Sequence, residues 1–318
     1  MRWQGRRESE NVEDRRSDGG GYEDGGGGFG IPFPGGGGGG FQIPMGQGGG
    51  GIGIVGMIVI VGIALLLGVD PRVILNGGSG MEMPSGSRQI QLPRDSQPRA
   101  VSAEDESMKR FVSVVLGDTE DIWTKIFREM GRTYRPPKLV LYRGGIKSGC
   151  GLASAQMGPF YCPNNQKIYI DLSFYDMLKR RFKAPGEFAQ AYVIAHEVGH
   201  HVQNSLGQLQ QIQRLQMAAS GSQKNALQVR VELQADCYAG VWAKNTDRIN
   251  KTLEPGDIEQ ALRAASAIGD DTLQKSTQGY AVPDSFTHGS SEQRVRWFKR
   301  GYDEGTISAC DTFGTQTL

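Results

Sequence analysis

The run Ala195-His196-Glu197-Val198-Gly199-His200-His201 restricts the folds open to this chain more than any other stretch, and it holds three of the chain's four histidines. On an α-helix, positions i and i+4 project from one face, so His196 and His200 present two imidazoles side by side with Glu197 next to them. That arrangement suits two zinc ligands and a general base. The helix carrying them must be largely buried. Phe188, Tyr192, Val193, Ala195, Val198 and Val202 supply an apolar, proline-free surround, which predicts a helix over about 186–204.

A catalytic zinc takes three protein ligands and leaves one position open. The third is expected from Glu232, far enough downstream for the chain to turn and return. Asp236 follows one helical turn later on the same face, where a carboxylate can accept the second ring N–H of a zinc-bound histidine and fix its orientation. Leu233, Ala235, Cys237, Ala239 and Trp242 crowd both acids with apolar neighbours. His288, the histidine outside the cluster, sits in a Thr-His-Gly-Ser turn ahead of a predicted helix and is the candidate donor to a developing oxyanion. His201 points about 100° away from His200 and reads as a packing residue or as one that supports a ligand from behind. Together these residues predict hydrolysis by a zinc-activated water, with Glu197 as general base, and a peptide substrate paired to a strand edge at Tyr169–Asp171.

Along the chain, residues 1–50 carry charged residues first and glycine runs after them, and are expected to form a disordered tail. Residues 51–69, GIGIVGMIVIVGIALLLGV, carry no polar side chain and match one transmembrane helix. Residues 70–104 read as a linker and 105–318 as one domain. Within it, Ser107–Gly131 predicts two helices broken near Gly117-Asp118, Lys138–Tyr142 a strand, Gly158–Asp171 a hairpin and Ser173–Arg181 a short helix. Gly207–Lys224 reads as helix and loop. Further helices are expected at Asn225–Lys244, at Asp257–Ile268 with Asp257 as cap, and at about Ser291–Arg300. The fold class is therefore α+β, mainly helical, with a small hairpin or sheet. Four cysteines without a Cys-x-x-Cys pair admit two disulfides, expected as Cys150–Cys162 and Cys237–Cys310, with four reduced thiols as the alternative. A net charge of +1 gives no pull toward nucleic acid.

The opening MRWQGRRESENVEDRR, the apolar span, MGPFYCP, IYIDLSFYDML, YVIAHEVGHHVQ, VELQADCYAGVWA and VPDSFTHGSSEQR resemble the bacterial neutral zinc metallopeptidase family over nearly the whole chain. The histidine and glutamate spacing is also similar to the wider gluzincin class. The resemblance implies a zincin-like domain with one Zn2+ on His196, His200 and Glu232, Glu197 as catalytic acid and base, and support for His288. The expected partners are a peptide or protein substrate and a membrane. The expected location is the bacterial inner membrane, crossed once, with the catalytic domain outside. A zinc amidase acting on a non-protein amide such as cell-wall peptide and a non-catalytic binding or scaffold protein on a metallopeptidase fold are the competing readings.

Overall fold

The computed structural model describes residues 1–18, 102–154 and 157–318. Eight helices are described: α1 (Ala103–Glu129), α2 (Ser173–Arg180), α3 (Glu187–Ser205), α4 (Gln208–Ala218), α5 (Gly221–Asn250), α6 (Asp257–Ala267), α7 (Asp270–Gln278) and α8 (Ser291–Glu304). The strands are β1 (Val12–Asp14), β2 (Lys138–Tyr142), β3 (Gly145–Ser148), β4 (Gly151–Ser154), β5 (Phe160–Cys162) and β6 (Lys167–Asp171). Helix predominates, as the patterning predicts.

The main sheet has the order β1-β2-β6-β5. β2 and β6 pair in parallel, Leu139 opposite Ile168 and Leu141 opposite Ile170, while β5 returns antiparallel to β6 as the predicted hairpin. β3 and β4 form a separate two-stranded hairpin. The alternate side chains Leu139, Leu141, Ile168 and Ile170 face the helices and are fully buried with Phe188, Tyr192 and Val198 of α3. Helix α3 is thus held in the core, as its apolar surround requires. The expected substrate edge at Tyr169–Asp171 is corrected: β6 lies inside the sheet, between β2 and β5, and among the described residues the edge strands are β1 and β5.

The first eighteen residues correct the tail reading. β1 adds to β2 in parallel, Val12 opposite Leu139 and Asp14 opposite Leu141. Arg6 pairs through both guanidinium nitrogens with Asp118, Arg7 reaches Glu120 and Asp121, and Arg16 bridges Asp14 and Glu106. The Met1 ammonium stands 3.1 Å from Glu254 and 3.2 Å from Asp257. Charges that look like a solvated run in the sequence are therefore the partners of acids from 90 to 256 residues downstream.

The same contacts explain why α1 is one helix where two were expected. Gly117 leaves room for the arm to cross: a Cβ there would lie 3.0 Å from the Arg7 carbonyl oxygen, and Ser9 N–H donates to Ser113 O at 2.9 Å. The propensity cost of a mid-helix glycine, about 1 kcal/mol, is offset by that docking. The helix begins slightly before the expected domain boundary, with the Ser102 hydroxyl accepting from Asp105 N–H at 3.0 Å as a cap. Asp257 is the first residue of α6 rather than its cap, which is Gly256; its carboxylate accepts from Glu254 N–H at 2.8 Å. The rest of the expected tail and linker and the expected transmembrane helix at 51–69 lie outside the described residues. Among the described residues, no helix is long and apolar enough to cross a membrane. Both expected disulfides are formed, Cys150–Cys162 across the strand region and Cys237–Cys310 between α5 and the C-terminal segment.

Candidate metal centre

The centre is built on α3 and α5, which run antiparallel: Tyr192 meets Asp236, His196 meets Glu232, and Gln203 meets Val231. Gly199 sets their separation. A Cβ at that position would stand 3.0 Å from the Ala235 carbonyl oxygen and 3.1 Å from its Cα, so the glycine lets the helices close at the level of the two histidines.

His196 Nε2 lies 3.2 Å and His200 Nε2 3.4 Å from Glu232 Oε2, and one donor atom from each of the three residues falls within 4.8 Å of the others. In a tetrahedral zinc site with ligand bonds of about 2.0–2.1 Å, the edge between two ligand atoms is ~3.3 Å. The donor set and its spacing therefore fit zinc. All three side chains are largely withdrawn from water, at 9%, 13% and 9% exposure.

Each imidazole turns its other nitrogen to a fixed partner. His196 Nδ1 is 2.8 Å from Asp236 Oδ1, and His200 Nδ1 is 2.9 Å from Gln203 Oε1. Asp236 is held in turn by Arg294 of α8, whose Nε and Nη2 donate to it at 2.9 and 3.0 Å, and by the Tyr192 hydroxyl at 2.5 Å. The outer oxygen of Glu232 accepts from Gln228 Nε2 at 2.8 Å, and Gln228 accepts from Gln216 of α4.

Burial and charge oppose each other throughout. Burial lifts the Asp236 carboxyl, but Arg294 and His196 outweigh it and hold it at about 2. Burial disfavours protonation of His196, yet Asp236 and Glu232 raise it to about 10 in the metal-free protein. Glu232 is held well below the usual carboxylate range, against its burial, by the two histidines. Glu197 behaves differently: burial raises it, and the neighbouring histidines only partly counter that.

His288 sits on a turn over α5, where Gly289 approaches Leu233 and Val229. Asp270 Oδ2 accepts the backbone N–H groups of Thr287, His288 and Gly289 at 2.7, 2.6 and 3.0 Å, and its other oxygen lies 3.2 Å from His288 Nδ1. Burial would lower His288, but Asp270 and the Glu232 charge raise it. His201 faces away, donating from Nε2 to the Arg135 carbonyl at 2.7 Å and lying 3.1 Å from the Tyr161 hydroxyl of β5.

The structure thus brings together His196, His200 and Glu232, with Asp236 bonded to His196 and Glu197 next to it on α3, while His288 reaches Glu232 through its charge. Sequence reasoning missed Arg294, Tyr192, Gln203, Gln228 and Asp270. Tyr192 and Gln203 had a signal, since they share a helix face with His196 and His200 at i−4 and i+3. Arg294 had none; it arrives from α8, in a segment that reads as an exposed charged helix.

Two histidines and a glutamate with a second glutamate alongside are the donor set of zinc peptidases. The family described as "Putative neutral zinc metallopeptidase" matches residues 1–313, and the chain belongs to it. It is 48% identical to the uncharacterized protein YpfJ of Escherichia coli K12 over 314 residues, covering 99% of both chains. It is 40% identical to uncharacterized proteins of Mycobacterium bovis and Mycobacterium tuberculosis over 265 residues, covering 80% of this chain and 86% of theirs. No solved structure matches the chain.

Proposed function

We propose that the protein is a zinc-dependent metalloendopeptidase. The observation that carries this reading is the convergence of His196 Nε2, His200 Nε2 and Glu232 Oε2 on one point, at separations that suit a tetrahedral ion. A zinc ion held there supplies Lewis acidity toward a peptide carbonyl and lowers the pKa of a water. Glu197 takes the proton of the attacking water and returns it to the leaving nitrogen. His288, oriented through Nδ1 by Asp270, leaves Nε2 to donate to the oxyanion. Asp236 orients His196, and Arg294 and Tyr192 orient Asp236.

The substrate lies along β5, an edge strand of the sheet, whose Tyr161 is tied to α3 through His201 and Asn204. Glu197→Gln tests the assignment. The variant is expected to bind zinc as the parent does and to cleave an unbiased peptide library at least about a hundredfold more slowly. Undiminished cleavage would remove Glu197 from the mechanism.

A further inference from the structure

We propose that Gln203 and Gln234 form an amide relay that positions His200 as a metal ligand, anchored at the carbonyl of disulfide-bonded Cys310. The proposal rests on the zinc reading above. Both glutamines are buried, at 1% and 3% exposure. Gln203 Nε2 donates to the Val231 carbonyl at 2.8 Å and to Gln234 Oε1 at 3.0 Å, and Gln234 Nε2 donates to the Cys310 carbonyl at 2.9 Å. A backbone carbonyl can only accept, so the nitrogens of both amides must face these ends. Gln203 Oε1 is then left to face His200 Nδ1 at 2.9 Å, and that ring nitrogen must carry a hydrogen. In neutral His200 the lone pair is consequently on Nε2, toward Glu232. The polarity of the whole chain is set at two main-chain oxygens, and the tautomer follows from it.

One side chain also joins the two ligand-bearing helices. Gln203 accepts from His200 on α3 and donates to the carbonyl that immediately precedes Glu232 on α5. The two histidines are therefore oriented by different chemistry. His196 answers to a carboxylate in an ion network, and His200 to a neutral relay that ends at a disulfide-bonded residue.

Chelator competition on the metal-free full-length protein tests this, with visible spectra of the cobalt-loaded form as a second readout. Gln203→Met, which removes acceptor and donors, is expected to weaken zinc binding 10–100-fold and to alter the cobalt bands. Gln203→Glu keeps an acceptor for His200 but loses both donors. It is expected to retain zinc affinity within severalfold while unfolding at lower denaturant. A purely structural role would instead make the two variants alike in metal affinity. Gln234→Met, which touches no ligand, is expected to weaken zinc severalfold and serves if Gln203→Met does not fold. Parental affinity and cobalt spectra in the folded variants would overturn the relay. If the parent protein takes up no zinc, the metal reading falls first and the relay with it.

A second inference stands on the N-terminal arm alone. β1 pairs with β2, Arg6 and Arg7 engage Asp118, Glu120 and Asp121, and Arg16 engages Glu106. A chain that crossed a bilayer once between residues 18 and 102 would put these partners on opposite sides. We infer that residues 1–18 and 102–318 occupy one compartment. Protease protection tests this in spheroplasts carrying the full chain with one epitope after Asp18 and another after Leu318. Both epitopes are expected to be cleaved together or protected together. Cleavage of one with protection of the other would overturn the inference.

Discussion

Replacing Arg294 with methionine probes the ion network behind His196. Arg294 is 2% exposed and Asp236 is fully buried. The guanidinium donates to Asp236 Oδ2 at 2.9 Å, to Oδ1 at 3.0 Å and to the Tyr192 hydroxyl at 3.1 Å. Methionine fills much of the stem, so the change removes charge rather than opening a large cavity. Asp236 keeps Tyr192 and His196 as donors, both on Oδ1, while Oδ2 loses the guanidinium. Stranding one member of a buried pair costs about 3–5 kcal/mol. At about 2–4 °C per kcal/mol for a domain of this size, Tm of the metal-free protein should fall by about 6–20 °C. Adding Asp236→Asn removes the stranded charge, and the double variant should recover most of that loss, because the penalty belongs to the unpaired ion. Urea unfolding followed by the fluorescence of buried Trp123, Trp242 and Trp297 measures all four corners of the cycle. A single-variant loss under about 1 kcal/mol, or a double variant no more stable than the single one, would refute this account of the network.

Further predictions concern metal, pH and the arm. Because Asp236 and Glu232 raise His196 to about 10 in the metal-free protein, against the effect of burial, zinc binding near neutral pH should release at least one proton; calorimetry in buffers of different ionisation enthalpy measures it, and no release contradicts the site's electrostatics. Burial pulls His201 down to about 4 from an ordinary 6.5, so its contribution is complete above 6.5 and is lost as pH falls toward 4, while the unfolded chain takes up the proton. That contribution is worth about 3 kcal/mol, and His201→Gln should flatten this part of the stability–pH profile; an unchanged profile contradicts it. Removing residues 1–18 takes the guanidinium partners from Asp118 and Glu120 and the parallel neighbour from β2. With two or more charge-assisted hydrogen bonds lost, a loss of at least about 3 kcal/mol is expected in urea, and an unshifted midpoint would show that the arm is not part of the fold.

What could be read in the sequence was whatever had a local period. The helix from Glu187 to Ser205, the strands at Lys138 and Lys167 and the spacing of His196 and His200 all follow from patterns of 3.6 or 2 residues. Glu232 and Asp236 were legible because a ligand and its orienting acid share one helix face. The arm was not legible, because Arg6 and Arg7 are charge-paired across about a hundred residues and no local pattern records that. Gly117-Asp118 misled for the same reason: a glycine that breaks helices by propensity is here the passage for another segment. Gln234 and Arg294 were silent because polar residues on a helix read as solvated until a neighbouring helix covers them.

The central claim is a zinc site on His196, His200 and Glu232, and X-ray absorption at the zinc edge tests it most directly. Full-length protein stripped of metal and reloaded should take up one ion per chain, with two imidazoles and oxygen ligands at about 2.0–2.1 Å, and His196→Ala or Glu232→Ala should abolish stoichiometric uptake. Absence of stoichiometric zinc, sulfur in its coordination sphere, or uptake indifferent to both substitutions would contradict it.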